Sequence, residues 1–183
     1  YRSIMTNTGA IHPRSAEMDS VAAGTAIADG EVAMAVNWFG FAAFAAAHPS
    51  SRVRGKIDIA PIPTSSEQGL SLNSYWILGI GAGSPHIALA YEFLRFSASP
   101  EMDRLLTEQG GIGCRRSTWT DPGINAAVPF YHRLDGLHAV ARTLPRRADW
   151  SQIASTIDAI VVDTIDTNEP VRSILERHAL DIR

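Results

Sequence analysis

The side chains best suited to chemistry in this chain are aromatic and polar residues at places where strands are expected to begin or end. Asn37 and Trp38 follow a short apolar run, and Asn73, Ser74, Tyr75 and Trp76 open another. Arg115 and Arg116 come just after Gly110 and Gly111. An exposed indole or phenol ring is a flat apolar platform with a polar edge, and the C–H face of a sugar ring can stack on it. Asn brings both a donor and an acceptor, and Arg brings a rigid fork of donors for hydroxyl groups. The candidate ligand-binding residues are therefore Asn37, Trp38, Asn73, Ser74, Tyr75, Trp76 and Arg115. A single Trp at such a position is more often core than platform. The reading rests on the same chemistry recurring at three junctions. For Trp76 a core orientation stays open, and Trp119 and Trp150 are read as packing or surface residues.

Other chemistries find less support. The six histidines show no metal-ligand spacing; His132 and His138 flank Asp135, but six residues apart they fall on opposite sides of a helix. No GxSxG elbow occurs. Gly79, Gly81 and Gly83 do not complete GxGxxG and are read as a bend between strand and helix. Acidic residues sit mostly where helix caps and surfaces want them, so no acid, base or nucleophile cluster emerges. No cofactor, no metal and no enzymatic activity are expected. Charge is balanced at −3 without a long basic run, and this argues against a nucleic-acid partner. The lone Cys114 cannot form an internal disulfide and is read as a small buried hydrophobe. The longest apolar stretch, residues 39–47, is too short to span a bilayer. A chain opening on Tyr1 instead of Met reads as a processed or excised piece.

The elements that must position these residues follow from period and punctuation. Residues 15–28 read as a helix stopped by Asp29 and Gly30, followed by a buried strand at 31–36. Residues 41–47 read as a helix ended by Pro49, and 56–60 as a strand halted by Pro61 and Pro63. After a polar loop at 64–69, residues 73–80 read as a third strand. Ser84 with Pro85, and Ser99 with Pro100, are two helix starts. The first of these helices places Ile87, Ala90, Tyr91 and Leu94 on one face, and Gly110 with Gly111 ends the second. From Asp121 onward the pattern is helical throughout. Asp149 and Gln152 form a capping-box pattern before Ile153, Ile157, Ile160 and Val161, and a last helix buries Val171, Ile174, Leu175, Ala179 and Ile182. The fold class is α/β, with few strands for its size.

Several blocks taken in order resemble the C-terminal part of the family 1 (maltose-type) extracellular solute-binding proteins. Residues 27–34 (IADGEVAM) are similar to the family's F-x-x-G-K-V-A-M strand leading to a Trp, and residues 57–63 (IDIAPIP) follow. Next come residues 76–80 (WILGI), 88–96 (ALAYEFLRF) and the run Ser99, Pro100, Glu101. Residues 110–117 (GGIGCRRS) are similar to G-x-x-P-x-R-x-S, and Leu144, Pro145 and Arg146 precede the penultimate helix. The likeness covers nearly the whole chain. It departs at Gly113, where the family has Pro; at Ser74 and Tyr75, where many members have Gly-Gly; and at Glu31, where Lys is usual.

The resemblance implies a type II periplasmic-binding-protein fold, with two α/β lobes closing on a solute. Residues 1–73 would start the C-terminal lobe, 74–112 would belong to the N-terminal lobe, and 113–183 would complete the C-terminal one. Most of the N-terminal lobe is expected to lie outside this chain, which leaves the strand at 76–80 without its native sheet neighbours. The implied function is capture of a sugar or oligosaccharide and delivery to the permease subunits of an ABC importer. The implied location is extracytoplasmic, in the periplasm or lipid-anchored at the outer face of the cell membrane. The alternatives are an α/β enzyme, or a signalling or adaptor module on the same fold.

Overall fold

Polar caps and glycines set the helix ends in the computed structural model, which describes residues 2–7, 9–64 and 69–178. In chain order the elements are α1 (Arg2–Met5), a 3-10 turn (Ser15–Glu17), α2 (Ser20–Ala28), α3 (Phe39–Ala47), β1 (Ser71–Leu72), α4 (Ile87–Ser97) and α5 (Pro100–Glu108). There follow α6 (Arg116–Trp119), α7 (Pro122–Ala127), a second 3-10 turn (Tyr131–Arg133), α8 (Leu134–Ala139), β2 (Ala141–Arg142), α9 (Trp150–Asp166) and α10 (Val171–His178). They fall into two compact units, one of residues 18–143 and one of 1–17 with 144–183.

In the larger unit, Asp19 caps α2 by accepting from the Ala22 N–H, and Ser99 caps α5 by accepting from the Met102 N–H. Both helices end in the same way. Gly30 and Gly110 take positive φ, and the next residue donates back to the carbonyl of Ala26 or Leu106, a Schellman closure. Ser84 caps less directly. Its hydroxyl accepts from the His86 N–H, and α4 starts two residues later than the sequence implies.

The core gathers Ala43 and Ala46 of α3 with Trp119, Ile124, Val128, Phe130 and Tyr131. Phe39 meets both Phe130 and Tyr131 edge-on, at centroid distances of 5.8 and 5.1 Å. Helix α2 lies close against α3 because Gly24 has no Cβ; one built there would stand 2.2 Å from the Phe41 ring. Residues 56–60 keep their alternation. Ile57 and Ile59 pack against this core, while Asp58 faces outward and pairs with Arg133 at 2.8 Å.

The strands depart most from expectation. Among the described residues, ladder pairing is confined to β1 and β2, which run parallel with Ser71 opposite Ala141 and Leu72 opposite Arg142. β2 interrupts the stretch read as wholly helical. The expected strands at 31–36, 56–60 and 73–80 carry no ladder. A strand needs a neighbour about 4.8 Å away, and among the described residues only Asn73, bonded to the Arg142 carbonyl, has one in these segments. Met34 is 88% exposed and Trp76 and Ile77 are 103% and 88% exposed. Trp76 thus takes none of the core positions open to it. On α4 the expected apolar face is only partly covered, with Ile87 and Tyr91 exposed and Ala90 and Leu94 half-buried; Phe93 and Phe96, on other sides of the helix, are exposed too, and the helix buries no residue.

In the smaller unit, α1 and α10 pack on α9. Arg2 ties α1 to the end of α9 and the turn beyond it through the carbonyls of Thr164 and Glu169. Ile153 of α9 and Ile174 of α10 are buried, whereas Ile157, Val161, Val171 and Leu175 remain exposed. The capping box does not form at α9, because Arg147 takes both carboxylate oxygens of Asp149. That pairing also lowers the Asp149 carboxyl below its ordinary pKa. Ala179 and Ile182 lie outside the described residues. Among those described, no helix is long and apolar enough to cross a membrane.

Candidate functional site

A buried hydrogen-bond network fixes the loop between α5 and α6. Asp103, one turn into α5 and 8% exposed, accepts from the Cys114 N–H at 2.7 Å and from the Thr118 hydroxyl. The Tyr131 hydroxyl accepts from the Gly113 N–H at 3.1 Å, and the Trp119 indole N–H donates to the Gly113 carbonyl at 2.6 Å. Gly113 is the residue this arrangement tolerates. A Cβ there would lie 2.6 to 2.9 Å from Thr107, Asp103 and Thr118. Both backbone groups of Gly113 are thus satisfied by the side chains of Tyr131 and Trp119.

On this base stands a column of three rings. Trp119 of α6 is buried, and His138 of α8 lies nearly parallel to it at 5.4 Å and 27°. Tyr75 also stacks on His138, at 5.7 Å and 29°, and its hydroxyl meets the histidine Nε2. Tyr75 reaches this place because the β1–β2 pairing and the Asn73 N–H to Arg142 carbonyl bond set the register of the segment just before it. Desolvation first, and nearby Cys114 second, raise the Tyr75 phenol pKa.

The column forms one wall of an open cleft of about 520 Å³ lined by Tyr75, Cys114, Arg116, Trp119, Asp135, His138 and Ala139. Arg116 and Asp135 pair across its mouth at 3.0 Å. Aromatic surface beside a donor fork and a carboxylate can hold a hydroxylated ring by stacking and hydrogen bonds. Among the described residues no cluster of His, Cys, Asp or Glu could hold a metal ion.

Of the seven residues expected from sequence, Tyr75 lines the cleft and the others do not. Trp38, 45% exposed, precedes α3 as its N-cap. Beside it Asn37 donates to the Ser20 carbonyl and accepts from the Trp38 N–H, each at 2.8 Å. Asn73 is half-buried and Ser74 is exposed. Trp76 is fully exposed and does not line the cleft. The Arg115 guanidinium donates to the Ala98 carbonyl at the end of α4, so the arginine presented to the cleft is Arg116.

The sequence places Arg116 beside Arg115 after a glycine pair, and sets Asp135 and His138 in a cluster without metal-ligand spacing. It does not bring them together. No sequence spacing could, because α6 and α8 meet only after α7 and the Phe130–Tyr131 corner fold between them. Cys114 is corrected as well: it is exposed at the cleft, since its own N–H is held to Asp103 while the side chain turns outward.

A family model described as bacterial extracellular solute-binding protein matches residues 4–104. No curated protein matches the chain. Among solved structures, the maltose-bound MalE3 of T. maritima is similar with a TM-score of 0.84 and 20% sequence identity. The likeness covers 98% of this chain and 47% of that one, so the chain spans about half the length of that structure. At this identity the likeness shows the fold, that of a type II periplasmic-binding protein.

Proposed function

The chain belongs to the bacterial extracellular solute-binding protein family, and from that premise we propose that it supplies part of a non-catalytic receptor for a sugar-like solute. The receptor works outside the cytoplasm and delivers its solute to the permease subunits of an ABC importer. The observation that carries the sugar reading is the Tyr75 ring, 54% exposed and held flat beside the Arg116–Asp135 pair. The bound maltose of the similar T. maritima protein supports the same class of ligand.

In this reading the sugar lays an apolar C–H face on an aromatic ring and turns its hydroxyls to polar partners. Tyr75 is one platform and Trp38, exposed at the head of α3, is another, with Asn37, Asn73 and Ser74 as polar neighbours along the chain. Residues 74–112 belong to the opposing lobe in this reading; the exposed apolar side chains from Trp76 to Phe96 support it for that stretch, while α5 stays tied to the 113–118 loop through Asp103. The chain would then pass between lobes at Tyr75, where a ligand touching both sides favours the closed state. A ligand shifts that equilibrium only by its differential contacts, so one that touches a single lobe leaves it open.

Calorimetry of the full-length protein against neutral mono- and disaccharides, maltose among them, tests the proposal. Saturable heat is expected, with the sugar recovered unchanged. Depletion of the sugar would make the protein an enzyme, and no binding across the panel would end the sugar reading.

A further inference from the structure

The geometry assigns Arg116 and Asp135 as a charge-balanced donor–acceptor pair that admits uncharged, polyhydroxylated solutes at the Tyr75 cleft and rejects acidic ones. This assignment rests on the sugar-capture reading and narrows it. The Arg116 guanidinium makes one hydrogen bond among the described residues, from Nη2 to Asp135 Oδ2 at 3.0 Å. A guanidinium has five N–H donors, and an ionised carboxylate has two oxygens and about four acceptor positions. Most of both inventories is therefore open to a ligand. The side chains are 77% and 48% exposed, and both line the cleft.

Two neighbouring hydroxyls fit this pair without disturbing it. One accepts from a remaining Arg116 N–H and the other donates to Asp135 Oδ1. Neither brings charge, so the Arg116–Asp135 bond survives. A carboxylate ligand meets a different balance. On the free Arg116 N–H groups it would set a second negative charge beside Asp135, and like charges at contact distance are unfavourable. The remaining lining residues, Tyr75, Cys114, Trp119, His138 and Ala139, bring no further fixed charge to relieve that repulsion. A neutral ring bearing adjacent hydroxyls is the guest this cleft satisfies.

The test uses the full-length protein, the neutral saccharide it binds most tightly, and glucuronate and galacturonate as acidic probes. Wild type should bind the neutral sugar and neither uronate. Asp135→Asn should weaken the neutral sugar about tenfold, the scale of a hydrogen bond to a charged group, and should gain measurable uronate binding. Arg116→Gln should weaken the neutral sugar by a similar factor. Arg116→Lys keeps the charge, loses the fork, and should also bind less tightly. Both positions are exposed, and circular dichroism checks that each variant folds. The assignment is overturned if all three variants keep neutral-sugar affinity within about twofold, or if wild type binds a uronate as tightly as the neutral sugar. If wild type binds but only Tyr75→Ala weakens it, the charge-pair assignment falls and sugar capture stands. If wild type binds no saccharide, both fall together.

Discussion

Tyr131 combines packing and loop placement in one side chain. Its ring lies edge-on to Phe39 in the core, and its hydroxyl takes the Gly113 N–H that would otherwise be buried unpaired. Burial raises the phenol pKa above its usual value of 10.0, outweighing the lowering effect of the Gly113 hydrogen bond. The raised value means that the folded state prefers the neutral phenol. Its contribution to stability is whole below about pH 10 and is lost as pH rises further. Thermal unfolding followed from about pH 8 to 11 should show Tm falling at the alkaline end. Tyr131→Phe should start lower, because Gly113 loses its acceptor, and then fall less steeply. An equally steep fall in that variant would place the titrating group elsewhere.

Helix caps were the most legible elements, because a capping serine or a positive-φ glycine acts within a few residues of itself. Ser99, Gly30 and Gly110 do what their types imply, whereas Asp19 caps α2 inside the stretch 15–28 that reads as one helix in the sequence. Strands were the least legible as built. The apolar runs at 31–36 and 73–80 have strand composition, but a ladder depends on a neighbour that local sequence does not name. The cleft was half legible for a related reason. Tyr75 stood out by its junction, while Arg116, Asp135 and His138 become a site only when α6 and α8 are packed together. The brace under that site is Asp103. Asp103→Ala would leave the buried Thr118 hydroxyl and the part-buried Cys114 N–H without their acceptor, and should cost about 1–3 kcal/mol by denaturant unfolding. A loss below about 0.5 kcal/mol would mean that the loop is held by its other contacts.

At the scale of the molecule, the larger unit ends its ladder at Asn73 and then extends an apolar strand-like segment and helix α4 with little covering them. Bare strand edges invite pairing with another chain. In this chain alone, amides of residues 76–80 should exchange with solvent nearly as fast as in an unstructured peptide, and in the full-length protein they should be strongly protected. Equal exchange in both would remove the support for assigning 74–112 to an opposing lobe. Cys114 is the sole cysteine of the 183 residues, and its exposed thiol opens onto the cleft beside Tyr75. A maleimide dye would therefore attach to this chain at one defined point beside Tyr75, and if the cleft takes the proposed solute its emission should change on binding.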